Sequence, residues 1–193
     1  MFRSVNERVS LYHANPFHRG GGRVHARDMD AATHGGAGST DIADTIVVGH
    51  DGSADADGAY AYALSLAQRL GAPVLVMRAW TVDTAPRGTL FSDGGVSPFG
   101  EASQKVARLL ERDAGARATA HPEVRVEFRA KYGQPSSVLI GASTGALMLV
   151  VGRRGRGGFP HLRLGSVSEQ CTRHAHCPVL VVRPHDAHEA SDH

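Results

Sequence analysis

From Asp44 onward the sequence alternates short apolar runs with longer stretches of helical period: five strand-sized runs separated by four helical segments. The runs are Thr45–Gly49, Pro73–Trp80, Val124–Ala130, Ala146–Gly152 and Val179–Arg183. Ala146–Gly152 is continuously apolar, and Pro73–Trp80 is apolar until Arg78, so both faces of these strands have to be covered. That is the signature of a parallel sheet with helices packed on each side. The first helical segment, Ser53–Leu70, carries Tyr60, Leu64 and Ala67 on one face and reaches Gly71 where a helix would stop. Glu101–Ala120 turns Val106, Leu109 and Leu110 inward, Ser136–Thr144 carries Val138, Leu139 and Ile140, and Ser166–His174 completes the set. Strands and helices in this order predict an α/β domain with right-handed crossovers. One connection is unusually long, a glycine- and proline-bearing loop over Asp83–Gly100, a length typical of lids and responsive segments.

The flanks read differently. Residues 1–43 have no sustained period, carry glycine clusters near Gly20–Gly22 and Gly35–Gly38, and mix four histidines with five arginines. Such a segment buries too little apolar surface to offset its ordering entropy, so a flexible tail is expected, with a histidine-rich metal or nucleic-acid arm as the alternative. Residues 185–193 form a polar C-terminal tail, leaving 44–184 as the folded domain. An apolar content of 41%, raised by 23 glycines, is ordinary for a globular protein. The net charge of +2 argues neither for nor against nucleic acid, because a local patch can still hold phosphate. No apolar run approaches the roughly eighteen residues that span a bilayer, and Arg3, Glu7 and Arg8 interrupt any signal peptide. Cys171 and Cys177 make no disulfide framework. A cytoplasmic protein is expected.

Directly after the fourth apolar run comes Gly152-Arg153-Arg154-Gly155, followed nine residues later by Gly165-Ser166-Val167-Ser168, a G-x2-G-x9-G-[ST] pattern. It begins at the carboxyl end of a buried strand and ends at a helix N-terminus. Glycines let the backbone approach a ligand closely, and the first N–H groups of a helix form an anion site. The hydroxyls of Ser166 and Ser168 would add hydrogen bonds to phosphate oxygens. Ser166-Val167-Ser168-Glu169 is equally a capping box, which needs no ligand. A second element bears on that choice. The first run ends in Gly49-His50-Asp51-Gly52-Ser53, with Ser53 a good N-cap. If the first and fourth strands are neighbours where the winding reverses, Asp51 and Gly152 face one crevice. Asp51 then contacts a base or ribose, holds Mg²⁺ near phosphates, or serves only as an Asx-turn residue.

The segments TIVVGHDGS, GRRGRGGFPHLRLGSVS and CPVLVVRP, in this order, resemble the universal stress protein family over about Asp44 to Pro184. The resemblance implies a doubly wound, Rossmann-like, five-stranded parallel sheet in order 3-2-1-4-5, of the adenine nucleotide alpha hydrolase type. It implies ATP, possibly with Mg²⁺, in the crevice, with Asp51 near the adenosine end and the backbone of Ala79 meeting adenine. Val151 and Gly152 would line the pocket, and Gly155, Gly165, Ser166, Val167 and Ser168 would hold ribose and phosphates. Family members lacking the glycine motif do not bind ATP; this chain keeps it. It departs in having Arg78 where histidine is frequent, a long N-terminal tail, and a loop made basic by Arg153, Arg154, Arg156 and Arg163.

Other clusters carry less. Cys171, His174, His176 and Cys177 have metal-ligand chemistry, but the run straddles a helix end and a strand start, which suits core thiols and helix-terminal histidines better than zinc. No aromatics interleave with the loop arginines, so no nucleic-acid partner is expected. No nucleophile motif or P-loop lysine stands out, and only Asp51 or Glu169 is placed to act as a base for ATP hydrolysis. The expected role is therefore ATP-dependent regulation in a stress response. A slow ATPase on the same scaffold and a nucleotide-free interaction module are the alternatives. Val179, Leu180, Val181 and Val182 would form an apolar edge strand, which a two-fold homodimer or the C-terminal tail would cover.

Overall fold

The computed structural model describes residues 42–92, 95–96, 98–157 and 164–183. The expected tails, 1–43 and 185–193, lie outside the described residues apart from Ile42 and Ala43, as does Arg163. The strands are β1 (Ile46–Gly49), β2 (Val74–Trp80), β3 (Phe91–Ser92), β4 (Gly95–Val96), β5 (Val126–Tyr132), β6 (Met148–Gly152) and β7 (Val179–Val182). The helices are α1 (Ala54–Leu70), α2 (Phe99–Ala114), α3 (Pro135–Ala142) and α4 (Ser166–His174). The main sheet has the order β5-β2-β1-β6-β7 with every pairing parallel, which is the 3-2-1-4-5 order once the small β3–β4 hairpin is set aside.

Side-chain alternation along the central strands divides the core in two. Ile46, Val48, Val74, Val76 and Val150 pack on Tyr60, Leu64 and Ala67 of α1 and on Leu110 of α2. Their neighbours in sequence, Val47, Leu75, Met77, Leu149 and Val151, face Val138 and Leu139 of α3 and Cys171 of α4. Helices on both faces explain why these strands contain almost no polar residue. A satellite cluster of Trp80, Ala102 and Val106 lies under the long connection, where Ala85 and Leu90 pack against it.

Caps set the helix ends. The Ser53 side chain accepts from the Ala56 backbone N–H at the start of α1, and Gly71 closes that helix in the left-handed region at φ 65°. A side chain at Gly71 would be strained there. The expected helix over Glu101–Ala120 begins earlier and ends earlier: its buried stripe Ala102, Val106, Leu110 and Ala114 stops at Ala114, and Gly115–Ala120 tightens into a 3-10 turn with no buried residue. The third apolar run is displaced by two residues. Val124 is buried but sits in a turn, its N–H bonded to His121 O, and pairing with β2 starts only at Val126. The long connection, expected as an irregular loop, contains the β3–β4 hairpin.

Candidate functional site

In the sheet order, β2 lies on one side of β1 and β6 on the other, so the winding reverses between β1 and β6. The connections leaving the two strands diverge there and a crevice opens beyond their carboxyl ends. It is a cleft of about 520 Å³. Asp51, Ala79, Val151, Gly152, Gly155, Gly165, Ser166, Val167 and Ser168 all line it, although they come from four separate segments of the chain. Its walls also include Met77, Trp80, Pro135 and Leu139, giving apolar surface beside the polar loop.

The glycine-rich loop is held from behind by the β1–α1 turn. The Asp51 Oδ1 accepts from the Ser53 backbone N–H at 3.0 Å and from the Ser53 hydroxyl at 2.6 Å. Its Oδ2 accepts from the backbone N–H of Arg156 at 2.9 Å. Burial alone would raise this carboxyl, but the hydrogen bonds from Ser53 and the Arg156 backbone outweigh it and leave Asp51 below its ordinary value. In the first turn of α1, Asp55 Oδ2 accepts from the backbone N–H of Arg154 at 3.0 Å. The loop is tied further by Arg153 N–H to Val182 O and by Gly165 N–H to Arg153 O, both 2.9 Å.

These ties give the glycines a reason that differs from the one expected. A Cβ on Gly155 would lie 2.5 Å from Asp51 Oδ2, and one on Gly152 would lie 2.7 Å from the backbone carbon and oxygen of Asp55. Both positions are bare because protein, before any ligand, approaches them. The same packing brings Gly155 to the start of α4: a Cβ on Gly165 would stand 3.7 Å from the Gly155 nitrogen.

The capping box is not formed. Gly165 is the N-cap of α4 and has no side chain to offer, while Glu169 pairs with Arg173 at 2.8 Å. The opening N–H groups of α4 therefore face the cleft without a side-chain cap, with the positive end of the helix dipole behind them. Ser166 lines the cleft, whereas Ser168 is buried and donates its hydroxyl proton to Gly152 O at 2.7 Å. That bond fixes α4 to the end of β6.

Sequence reasoning missed another part of the cleft wall. His50 is 4% exposed and its Nε2 lies 3.1 Å from Asp57 Oδ1, while Arg78 Nη2 lies 3.4 Å from Nδ1 and Arg78 Nε donates to His50 O at 3.2 Å. A carboxylate only accepts and a guanidinium only donates, so the proton sits on Nε2 and the ring is neutral. Burial, the largest influence, pushes this imidazole below its usual value against the hydrogen bond to Asp57. Asp57 also pairs with Arg117 at 3.3 Å. Trp80 is buried with its indole N–H on Ser103 Oγ at 3.0 Å. Only the departure at Arg78 hinted at this wall.

Among the described residues no group of three or more His, Cys, Asp or Glu side chains gathers to hold a metal ion. Cys171 is fully buried in the core with its thiol pushed up to about 11 by that burial, an inert thiol. No helix among the described residues is long and apolar enough to cross a membrane.

Fold and cleft together define a doubly wound α/β domain with a glycine-rich turn at its switch point. The model of the Universal stress protein family matches residues 43–183, and the chain belongs to that family. It is similar to a universal stress protein of Mycolicibacterium smegmatis, 34% identical over a 144-residue alignment that covers 72% of this chain and 45% of the relative. The chain thus spans less than half the length of the curated relatives it matches. Among solved structures, a universal stress protein in complex with cAMP is 28% identical with a TM-score of 0.53, over 72% of this chain and 95% of that one. The universal stress protein UspA from Lactobacillus plantarum, at 21% identity and a TM-score of 0.53 over 72% and 97%, shares the fold.

Proposed function

We propose that this chain binds ATP in the cleft at the β1–β6 switch point and acts as a cytoplasmic, nucleotide-responsive regulator in a stress response. One observation carries the reading: four segments distant in sequence converge on a single cleft in which an uncapped helix N-terminus adjoins a bare-backbone turn. That arrangement suits phosphates, and the apolar wall of Met77, Val151 and Leu139 suits a base. The cAMP complex of a related universal stress protein supports an adenine nucleotide as the ligand class. In this reading Asp51 fixes the ribose end through the loop it holds, Ala79 meets adenine through its backbone, and Gly155, Gly165, Ser166 and Val167 hold the phosphates.

A Mg²⁺ arriving with ATP would be held by phosphate oxygens and water, since no carboxylate cage gathers among the described residues and both Asp51 oxygens already accept hydrogen bonds. The two side chains named as hydrolytic bases, Asp51 and Glu169, are engaged elsewhere, which favours binding over turnover. The reading extends to a homodimer through β7, whose Val179, Leu180, Val181 and Val182 are each half-buried and which pairs only with β6 among the described residues.

Thermal unfolding with and without Mg-ATP tests the proposal. Ligand at a hundredfold excess over its dissociation constant stabilises by about 2.7 kcal/mol. For a domain of this size the midpoint rises by roughly 5–10 °C. An unchanged midpoint at millimolar ATP leaves a nucleotide-free interaction module in its place.

A further inference from the structure

Asp55 stands in the first turn of α1, outside the set of residues expected to touch a ligand. Two independent observations meet on it. Its carboxylate accepts from the backbone N–H of Arg154 across 99 residues of chain, and its own backbone lies so close to Gly152 that a Cβ there would come within 2.7 Å. Asp51 makes the companion bond to the N–H of Arg156 two residues further along the loop. Between these two held amides sits Gly155, whose nitrogen adjoins Gly165 at the start of α4.

We infer that Asp55 is a positioning residue for the phosphate end of the cleft: with Asp51 it clasps the amides of Arg154 and Arg156 from behind, so that the N–H of Gly155 is presented with those of the α4 terminus. The inference rests on the nucleotide reading and deepens it. The clasp consists of two hydrogen bonds accepted by charged oxygens, the stronger kind, and it costs the ligand no ordering of the loop at the moment of binding. Its chemistry is unusual in one respect that makes it testable. A carboxylate near a polyphosphate repels it, so a bystander Asp55 would weaken ATP binding and its removal would tighten it. A positioning Asp55 has the opposite sign.

The experiment compares full-length wild type, Asp55→Ala and Asp55→Asn by calorimetric titration with ATP and with adenosine. It also follows amide hydrogen exchange at Arg154 in the absence of nucleotide. Asp55→Ala is expected to bind ATP about tenfold more weakly, the loss of one charge-assisted hydrogen bond, while adenosine affinity stays within about twofold. Asp55→Asn keeps an acceptor oxygen and sheds the charge, and is expected to bind ATP as well as wild type or better. Exchange at Arg154 speeds up in the alanine variant only. Unchanged or tighter ATP binding by Asp55→Ala overturns the inference, as does equal weakening of ATP and adenosine or equal weakening by both variants. Wild type that binds neither ligand overturns the nucleotide reading along with this one.

Discussion

Two connections border the cleft, and they are held in different ways. The loop after β6 is fastened to distant chain, Arg153 to Val182, Arg154 to Asp55 and Arg156 to Asp51, and closed on itself by Gly165 to Arg153. Among the described residues, the connection after β2 is fastened mostly to itself. The Thr81 N–H donates to Thr84 Oγ1 at 2.8 Å, the Thr89 hydroxyl donates to Pro86 O at 2.6 Å, and Ala85 and Leu90 rest on the Trp80 cluster. Backbone held by long-range hydrogen bonds forms only when the whole fold forms, whereas self-contained turns persist or open locally. The border that would meet phosphates is thus built as part of the core, and the border that would meet the base is built as an attachment.

Substitutions on the two borders should therefore differ in kind. The largest effect is expected at Gly152→Ala, because its Cβ meets the backbone of Asp55, which cannot swing aside as a side chain would. A loss of about 3 kcal/mol in unfolding free energy, read by urea denaturation, is the expected outcome. Gly155→Ala comes next. Its Cβ meets the Asp51 carboxylate, so the bond to Arg156 should break and ATP binding weaken about tenfold by titration. Gly157→Ala is the control, since a Cβ there meets nothing within 4 Å, and it should change stability by less than about 0.5 kcal/mol. The smallest effect is expected at Thr84→Ala, on the self-contained border. It removes a turn contact and should alter ATP affinity less than about twofold by the same titration, although Thr84 lines the cleft. A tenfold loss at Thr84 with none at Gly155 would reverse the comparison.

Much of this architecture was legible before any coordinates, for a physical reason. Strand and helix periods are local, so the α4 limits, the Ser53 cap and the Gly71 stop could be read directly. The resemblance to the universal stress proteins supplied the strand order, which no local period contains. Two-residue strands such as β3 and β4 are too short to show a period at all. Within the site, the residue types were readable but their partners were not. The Asp51–Arg156 and Asp55–Arg154 bonds join side chains to backbone over 105 and 99 residues, and backbone amides leave no mark in a sequence. The glycines were legible as bare backbone, but the groups that press against them were not. His50 carried no assignment of its own in the sequence, and only packing revealed it as a neutral ring between a carboxylate and a guanidinium.

The span of the Asp51–Arg156 bond has a consequence in time. A ribosome adding about 5–20 residues per second needs roughly 5–20 seconds to produce the 105 residues that separate the two ends of that bond. Throughout that interval the Asp51 turn has only its local Ser53 partner, with no Arg156 amide to hold, and the pocket does not yet exist. In the proposed reading, a nucleotide would find no site to stabilise during the early stages of folding and could bind only once synthesis has passed the second glycine turn.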